Sequence, residues 1–317
     1  MGIGARLSAE AKDTNSVLTP KKSTVESSME FKSIEPVFSL DDLILSEHTK
    51  SKILDIASYS ENSDLVFKTW GLENTHRYSR KVGINLWGPP GTGKTMAAHA
   101  IANYLHRKIL IVNYADIESK YVGETPKNIC RAFEIAKKEN SILFFDEADA
   151  ILSKRVTNMT HATDVSVNQT RSVMLMLLND FQDIIIFATN FIENFDPAFM
   201  RRILMHVKFE LPDALCRYHL WAKYIPTNMP NDFDIKYIAD TYDGLSGSDI
   251  ANSVLSTAFA SARMGAVVVR QSVLEDNIRN IIYSKKANKQ EKTIVTKRAV
   301  SGDYVKKQLN LKEEDDV

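Results

Sequence analysis

Gly88-Pro89-Pro90-Gly91-Thr92-Gly93-Lys94-Thr95 is the stretch that decides the fold. It follows the apolar run 82–87 and precedes the largely apolar run 96–101, so it predicts a strand, a tight turn and a helix in that order. Glycines let the backbone turn so tightly that successive N–H groups converge on phosphate oxygens. The helix, which should begin near Gly93, adds the positive end of its dipole. The stretch therefore predicts a binding loop for the phosphates of a nucleotide.

The side chains that follow the turn have separate tasks. Lys94 is expected to reach the β- and γ-phosphates as a point charge. The Thr95 hydroxyl is expected to complete the shell of Mg²⁺, which prefers oxygen ligands and retains several waters. The residues of this stretch expected to contact the nucleotide are Pro90, Gly91, Thr92, Gly93, Lys94, Thr95 and Met96. ATP or GTP is the predicted ligand, with Mg²⁺ as cofactor.

A second stretch, 142–149, supplies acidic side chains. Its four leading apolar residues predict a strand buried on both faces, and open α/β sheets bind ligands at the carboxyl ends of such strands. Asp146 is expected to hold Mg²⁺ through water, and Glu147 to polarise the attacking water. Alone, the pair would also suit an acidic loop that closes a core strand. Next to a phosphate loop, it favours nucleotide hydrolysis.

Two further polar sites lie downstream. The apolar run 184–188 predicts another strand, which ends in Thr189 and Asn190. At that strand end the Asn190 amide is placed to orient the water or touch the γ-phosphate, although an asparagine in a plain turn would have neither role. Arg201 and Arg202 form an adjacent pair, and the local sequence alone favours a solvated helix end for them.

The order and character of these four sites resemble those of AAA+ ATPases of the classical clade. Stretch 88–95 resembles the Walker A motif, and 144–147 resembles the Walker B motif. The resemblance implies that ATP is the nucleotide and that the arginine pair reaches into the nucleotide site of a neighbouring subunit. It also makes Asn190 the residue called sensor one. The catalytic residues that it implies are Glu147, Asn190, Arg201 and Arg202.

Two other segments extend the resemblance. The stretch 37–44 resembles the segment whose backbone frames adenine, and within it Leu43 is expected to contact the nucleotide. The stretch 244–250 resembles the lid helix that closes over the nucleotide. Gly247 and Ser248 are the lid residues expected to lie against the ligand.

The resemblance spans about residues 37 to 310 and breaks at two points. After the arginine pair the family usually continues Gly-Arg-Phe-Asp, whereas this chain has Ile203-Leu204-Met205-His206. Which arginine is the finger therefore stays open. Ser248 stands where some relatives carry an arginine that contacts phosphate. The lid is accordingly expected to contribute backbone contacts and shape more than charge.

The pattern of the whole chain predicts an α/β fold. Strand and helix patterns alternate, which implies a parallel sheet with helices on both faces, and from about residue 211 the apolar spacing is wholly helical, as in a small all-α lid. The predicted strands lie near 82–87, 109–113, 142–146 and 184–188, with helices such as 127–138 and 168–181. The predicted domains are an unstructured arm, 1–36, an AAA+ nucleotide-binding domain, 37–210, and a helical lid with an acidic tail, 211–317.

Composition favours an ordinary soluble enzyme. The 317 residues are 44% hydrophobic, and Lys+Arg and Asp+Glu number 40 each, so no net field attracts nucleic acid or anionic membrane. No apolar run approaches the roughly 20 residues that span a bilayer, and the start lacks the core of a secretory signal. Cys130 and Cys216 have no paired or metal spacing, which predicts buried structural thiols. A cytoplasmic location is expected, without a membrane partner.

One loop indicates what the ATPase acts on. Lys120, Tyr121, Val122 and Gly123 resemble the pore loop of AAA+ protein threaders, in which a ring of aromatic side chains grips an extended peptide. The alternative is that Tyr121 packs locally and staples the start of the next helix. A second polar loop, Thr157 to Val167, could line the same channel.

Two stretches, 165–173 and 187–196, resemble bacterial relatives of the Trip-thirteen-type ATPases. That resemblance implies a homo-oligomeric ring, a hexamer, whose client is a HORMA-domain protein bound to a nucleotidyltransferase. Such enzymes disassemble the client complex and switch off anti-phage cyclic-oligonucleotide signalling (CBASS). The chain departs from the eukaryotic members in its Tyr-Val-Gly loop and in showing no sizeable folded N-terminal domain, so the mode of client recognition stays open.

Other functions remain compatible with the sequence. A generic AAA+ protein remodeller, rubisco-activase-like or another disaggregase, is one alternative. A nucleic-acid loader would use the same ring but should prefer basic or base-stacking channel loops. A small-molecule kinase would use the same phosphate loop without arginines from a second subunit.

Overall fold

A computed structural model describes residues 31–76, 82–117, 124–153, 162–191 and 195–290, all within one compact unit, residues 31–317. The described residues contain five strands, and they confirm the predicted α/β fold with a parallel sheet. The strands are β1 (Val82–Trp87), β2 (Ile109–Asn113), β3 (Ile142–Asp146), β4 (Ile184–Thr189) and β5 (Met205–Lys208).

Helices fill the connections between the strands and form the whole of the described carboxyl-terminal part. They are α1 (Glu47–Ala57), α2 (Tyr59–Asp64), α3 (Lys94–Tyr104), α4 (Tyr114–Ile117), α5 (Glu124–Glu139), α6 (Asp149–Leu152), α7 (Ala162–Asp180), α8 (Pro197–Met200), α9 (Ala214–Tyr224), α10 (Ile235–Thr241), α11 (Gly247–Arg263) and α12 (Gln271–Gln290). Short 3-10 turns at Leu40–Asp42 and Leu72–Asn74 and a π-helical turn at Leu65–Thr69 complete the secondary structure.

The order of the strands places the predicted site. Across the sheet the strands run β2-β3-β4-β1-β5, and every pairing is parallel. The last residue of β1, Trp87, pairs with Thr189 at the end of β4, and Phe145 of β3 pairs with Phe187 of β4. The carboxyl ends of β3, β4 and β1 are therefore neighbours, which is where parallel sheets bind ligands.

Both faces of the sheet are covered, which explains the unbroken apolar runs of its strands. All six residues of β4 and the first five of β1 are buried. On one face α1 and α3 pack on a core that includes Ile84, Leu86 and Phe144. On the other face Phe145 stacks on Phe187 at 5.5 Å between ring centroids. Alternate side chains of each strand thus serve two different cores.

A separate cluster forms the core of the carboxyl-terminal helices. Its centre is Trp221, which is fully buried, with Leu245, Ile250 and Leu274 around it. This part of the structure is all-α, as the sequence predicts. The position of the domain boundary at 210/211 stays a prediction.

The fifth strand was not predicted from the sequence. Residues 205–208 are Met-His-Val-Lys, a four-residue segment with two polar members and no run of apolar residues. They become a strand by pairing with β1, where Ile84 lies opposite Met205 and Trp87 opposite Lys208. An edge strand covered on one side does not need the apolar run that identifies the central strands.

Three other sequence predictions are corrected. Residues 31–36 were assigned to an unstructured arm, but Ile34 pairs with Ile109 of β2 through two hydrogen bonds of 2.9 Å. Part of the predicted second pore loop, residues 162–167, is the start of α7, because no glycine or proline there stops the helix. Residues 157–161 of that loop lie outside the described residues. Cys130 is only half-buried, and Cys216 is buried.

Candidate active site

The phosphate loop has the backbone that its glycines allow. Gly88, Gly91 and Gly93 have φ angles of 144°, 74° and 99°, a region that side chains strongly disfavour. Gly93 is the N-cap of α3, and Lys94 is the helix's first residue. The loop therefore ends on the free N–H groups of a helix of 11 residues, whose dipole favours an anion.

Lys94 lies buried beneath the loop. Its Nζ donates to the carbonyl oxygens of Gly88, at 2.7 Å, and Pro89, at 3.0 Å, and to Oδ1 of Asn190 at 3.1 Å. Burial lowers the pKa of Lys94, while the negative charges of Asp146 and Asp149 act in the opposite direction. The structure thus brings the predicted lysine and the predicted sensor asparagine into direct contact.

Thr95 and Asp146 are also brought together. The Thr95 hydroxyl donates to Oδ2 of Asp146 at 2.8 Å, across the gap between α3 and the end of β3. Among the described residues, no group of three or more His, Cys, Asp or Glu side chains could hold a metal. A hydroxyl and one carboxylate still suit Mg²⁺, which keeps several waters and takes its remaining ligands from phosphates.

Glu147 is exposed and has an unusual backbone. Its φ is 50°, in the left-handed region, where a non-glycine residue costs about 1–2 kcal/mol. Its N–H donates to Oδ1 of the preceding Asp146 at 2.9 Å. The turn directs two consecutive acidic residues to different places, since Asp146 faces Thr95 and Glu147 stays open to solvent. Such local strain is common at functional sites.

Asp149 is a site residue that sequence reasoning missed. Its carboxylate accepts hydrogen bonds from the backbone N–H groups of Asn190, at 3.1 Å, and Phe191, at 3.3 Å. It therefore fixes the end of β4 and the Asn190 side chain that touches Lys94. A signal was available, because Asp149 stands three residues after Asp146 in the same acidic strand end.

A cavity of about 250 Å³ opens beside the loop, between the sheet and the helical lid. The predicted residues Leu43, Met96, Gly247 and Ser248 all line it. The lid touches the loop directly, because the Ser248 N–H donates to the carbonyl of Gly91 at 3.2 Å. The further lining residues that the sequence did not indicate include Pro212, Cys216, Leu220, Lys223 and Tyr224.

The lid helix is held in place by charges. Ser246 and Asp249 form a capping box at the start of α11, and Lys285 of α12 pairs with the same Asp249. On the far side of the cavity Lys223 of α9 donates to the Asp42 carbonyl at 2.9 Å and to its carboxylate at 3.2 Å. Cys216 lies on α9, and burial, aided by Asp213, raises the pKa of its thiol to about 11.

Arg201 and Arg202 are exposed and bond within their own surroundings. Arg202 donates to Asn179 Oδ1 on α7 at 2.8 Å and to the Ala198 carbonyl at 2.7 Å. Arg201 donates to the Pro197 carbonyl at 3.2 Å. Neither guanidinium lines the cavity of its own chain. The predicted pore-loop residues Lys120, Tyr121, Val122 and Gly123 lie outside the described residues.

A phosphate loop after an inner parallel strand, β1, an acidic strand end near it and a helical lid over the cavity define a P-loop nucleoside triphosphatase. Residues 84–211 match the model of the "ATPase family associated with various cellular activities (AAA)". The matched region is therefore an AAA domain, and its family description together with the site geometry indicates an enzyme that hydrolyses ATP. This confirms the predicted enzyme class and supports the predicted AAA+ family, whereas the Trip-thirteen-type assignment and the roles of individual residues stay predictions.

Curated proteins also resemble the chain. A proteasome-activating nucleotidase of Methanopyrus kandleri is 35% identical over 176 residues, which are 53% of this chain and 40% of the relative. That of Saccharolobus solfataricus is 29% identical over 92% of this chain and 73% of the relative. The 26S proteasome regulatory subunit 8 homolog of Schizosaccharomyces pombe is 32% identical over 61% of this chain and 50% of the relative. The chain thus spans less than two thirds of two of these three proteins. None of the described helices is both long and apolar enough to cross a membrane.

Proposed function

We propose that the chain is a ring-forming remodeller that uses ATP hydrolysis to disassemble or unfold a client protein. The observation that carries the proposal is the cluster at the ends of β1, β3 and β4. There Lys94 contacts Asn190 at 3.1 Å and Thr95 contacts Asp146 at 2.8 Å, below a lid that bonds to the loop. Among the residues that the structure describes, the cluster holds one cation, Lys94, beside the groups proposed to bind Mg²⁺ and to activate water.

Each residue of the cluster has one task in the proposed reaction. Thr95 and Asp146 would hold Mg²⁺, which when bound neutralises charge on the β- and γ-phosphates. Lys94 exchanges its loop carbonyls for phosphate oxygens. Glu147, exposed beside Asp146, orients and polarises the water. Asn190, fixed by Asp149, sets the position of the γ-phosphate relative to that water.

The proposed ring would supply a further cation to the nucleotide site of each subunit. The described residues that line the cavity include two cations, Lys94 and Lys223. Lys223 is held by Asp42 at the other end of the cavity. Charge on the transferring phosphoryl group is stabilised in many nucleoside triphosphatases by an arginine, which the same chain or a second chain supplies. Arg201 and Arg202, exposed and outside their own cavity, suit that task in a homo-oligomer, which we propose is a hexamer.

The client is a protein in this proposal. Support comes from the relatives, which include two proteasome-activating nucleotidases, and from the resemblance of Tyr121 and its neighbours to a pore loop. The residue patterns at 165–173 and 187–196 favour a HORMA-domain protein bound to a nucleotidyltransferase, and hence a role in ending anti-phage signalling. The names of the relatives favour a second candidate, the delivery of unfolded proteins to a proteasome.

One experiment separates these clients. Purified chain and ATP are incubated with a preformed complex of a HORMA-domain protein and a nucleotidyltransferase, and separately with a proteasome core and a tagged folded protein. Native size separation measures the first reaction, and degradation of the tagged protein measures the second. We expect ATP-dependent dissociation of the HORMA complex, absent in Glu147→Gln. Degradation without dissociation would favour the proteasomal role. If DNA alone stimulates ATP hydrolysis and neither protein reaction occurs, the remodelling proposal is wrong.

A further inference from the structure

A buried ion pair lies outside the nucleotide site. Arg171, in the middle of α7, has a side chain that is 2% exposed, and its Nη2 lies 2.5 Å from Oδ2 of Asp196, whose side chain is 14% exposed. Taking two charges out of water costs several kcal/mol per ion, so such a pair contributes little net stability. In some proteins a buried pair instead favours one defined geometry, because other arrangements leave a buried charge unpaired.

Asp196 joins three elements of the fold. Its Oδ1 accepts from the Ala198 N–H at 2.7 Å, so it is the N-cap of α8. Its own N–H donates to the Leu152 carbonyl of α6 at 2.9 Å, beside an antiparallel bridge between Ser153 and Phe195. Helix α6 directly follows the acidic end of β3. Asp196 therefore connects α6, which follows the acidic end of β3, with α7 and with the arginine segment, residues 196–202, which carries Arg201 and Arg202.

Helix α7 holds the other end of the same segment. Asn179, two turns beyond Arg171, accepts from Nε of Arg202 at 2.8 Å. Helix α8 has four residues, too few for a helix to persist without tertiary support. Two contacts with α7, one at each end of residues 196–202, thus help to position the arginine pair, together with the burial of Phe199 between them.

We infer that Arg171 and Asp196 are a positioning pair that sets Arg201 and Arg202 for the nucleotide of the neighbouring subunit. The inference rests on the proposed ring. Neither residue touches the nucleotide of its own chain, since neither lines the cavity. The pair acts through α8, and a displacement of about 1 Å in a catalytic group can lower turnover by 10²-fold.

Asp196→Asn tests the inference, because asparagine caps a helix as well as aspartate but has no negative charge to form an ion pair with the buried Arg171. We expect turnover to fall by about 10- to 10²-fold, with unchanged affinity for ATP in the variant's own site. The second variant, Arg171→Lys, keeps the positive charge but loses the planar guanidinium. We expect its turnover to fall less than that of Asp196→Asn. Asp183→Asn is the matched control. It removes an ion pair with Arg107, at 2.6 Å, at the opposite ends of the strands, and should leave turnover unchanged.

Mixed rings distinguish positioning from a merely structural role. Lys94→Ala has a disabled loop and an intact arginine segment. Mixed with Asp196→Asn, it should restore part of the turnover, because each variant supplies what the other lacks; size separation confirms co-assembly. Wild-type turnover in both Asp196→Asn and Arg171→Lys would overturn the inference. It would also be overturned if mixing with Lys94→Ala restores the turnover of Arg201→Ala or Arg202→Ala but never that of Asp196→Asn. If neither arginine variant loses turnover, catalysis between subunits is itself wrong, and the inference falls with it.

Discussion

At the scale of single residues, the side chains proposed to bind the nucleotide and to hydrolyse it lie in different surroundings. Lys94 is buried under the loop and bonded to loop carbonyls, whereas Glu147 is exposed at the end of a different strand. The strained turn at Glu147 keeps the two consecutive acids apart, so that one can hold the metal while the other meets the water. Substitutions of the two residues should therefore have different consequences.

We predict that Lys94→Ala loses ATP affinity, while Glu147→Gln binds ATP as the wild type does and does not turn it over. Loss of Lys94 removes a charge-assisted contact to the phosphates, which is present in the bound ground state. Glutamine at 147 keeps the size of the side chain but cannot polarise water. Calorimetric titration of ATP and a phosphate-release assay measure both properties. Equal loss of affinity in the two variants would contradict the assigned roles.

At the scale of elements, the join between β1 and α3 depends on glycine for two separate reasons. At Gly88 a Cβ atom would lie 2.0 Å from the backbone oxygen of Phe209, which follows β5, in addition to the strain of a φ of 144°. At Gly93 no atom lies within 4 Å of the added Cβ, and only the φ of 99° opposes a side chain. Tertiary packing thus restricts one glycine, and backbone conformation alone restricts the other.

We predict that Gly88→Ala destabilises the fold much more than Gly93→Ala. Backbone strain costs about 1–3 kcal/mol at either position. Gly88→Ala adds an overlap with the backbone after β5, which costs about a further 1–3 kcal/mol. A backbone oxygen, unlike the end of a side chain, cannot rotate away from the added Cβ. Thermal unfolding without nucleotide measures the difference, and Gly93→Ala serves as the control for strain. Equal unfolding temperatures would show that the β5 end is free to shift.

At the scale of the whole molecule, the cavity is shared between sheet and lid. Ser248 bonds to Gly91 of the loop, and Lys223 bonds to Asp42 before α1. Both contacts join the lid to the part of the chain proposed to hold the phosphates and the base. A change in the nucleotide can therefore reach the lid through two points. In a ring, such movements would be transmitted to loops that grip a client, and only contacts that differ between states transmit work.

We predict that Tyr121→Ala keeps ATP hydrolysis and ring assembly but no longer dissociates the client complex. The aromatic side chain would grip an extended peptide, and it lies apart in sequence from every residue of the nucleotide site. Tyr283→Ala is the control, since Tyr283 is 75% exposed on α12 of the lid. Native size separation of the client complex after incubation with ATP gives the rate. If Tyr121→Ala dissociates the client complex at the wild-type rate, the pore-loop role is wrong. The alternative, local packing of Tyr121 at the start of the next helix, would then be favoured.

The sequence by itself determined the local parts of the site. The phosphate loop, the buried strands and the acid pair follow from residue types within a few positions, because glycine conformations, apolar runs and strand ends are local properties. Strands 1 to 4 and the start of α3 accordingly lie where the sequence predicted them. The local sequence did not predict β5 or the ordered structure of residues 31–36. These segments take their structure from pairing with β1 and β2.

Only the tertiary structure decided which distant residues meet. Strand order put β4 between β3 and β1, and so brought Asn190 to Lys94, 96 positions away along the chain. The same packing lets the Asp149 carboxylate accept from the backbone N–H that follows β4. It also places Lys223 of α9 against Asp42 and pairs Arg171 with Asp196. No local pattern predicts these contacts, because each contact depends on which elements become neighbours. That choice is made by the burial of both faces of the sheet and by the pairing of its strands, which act over the whole chain.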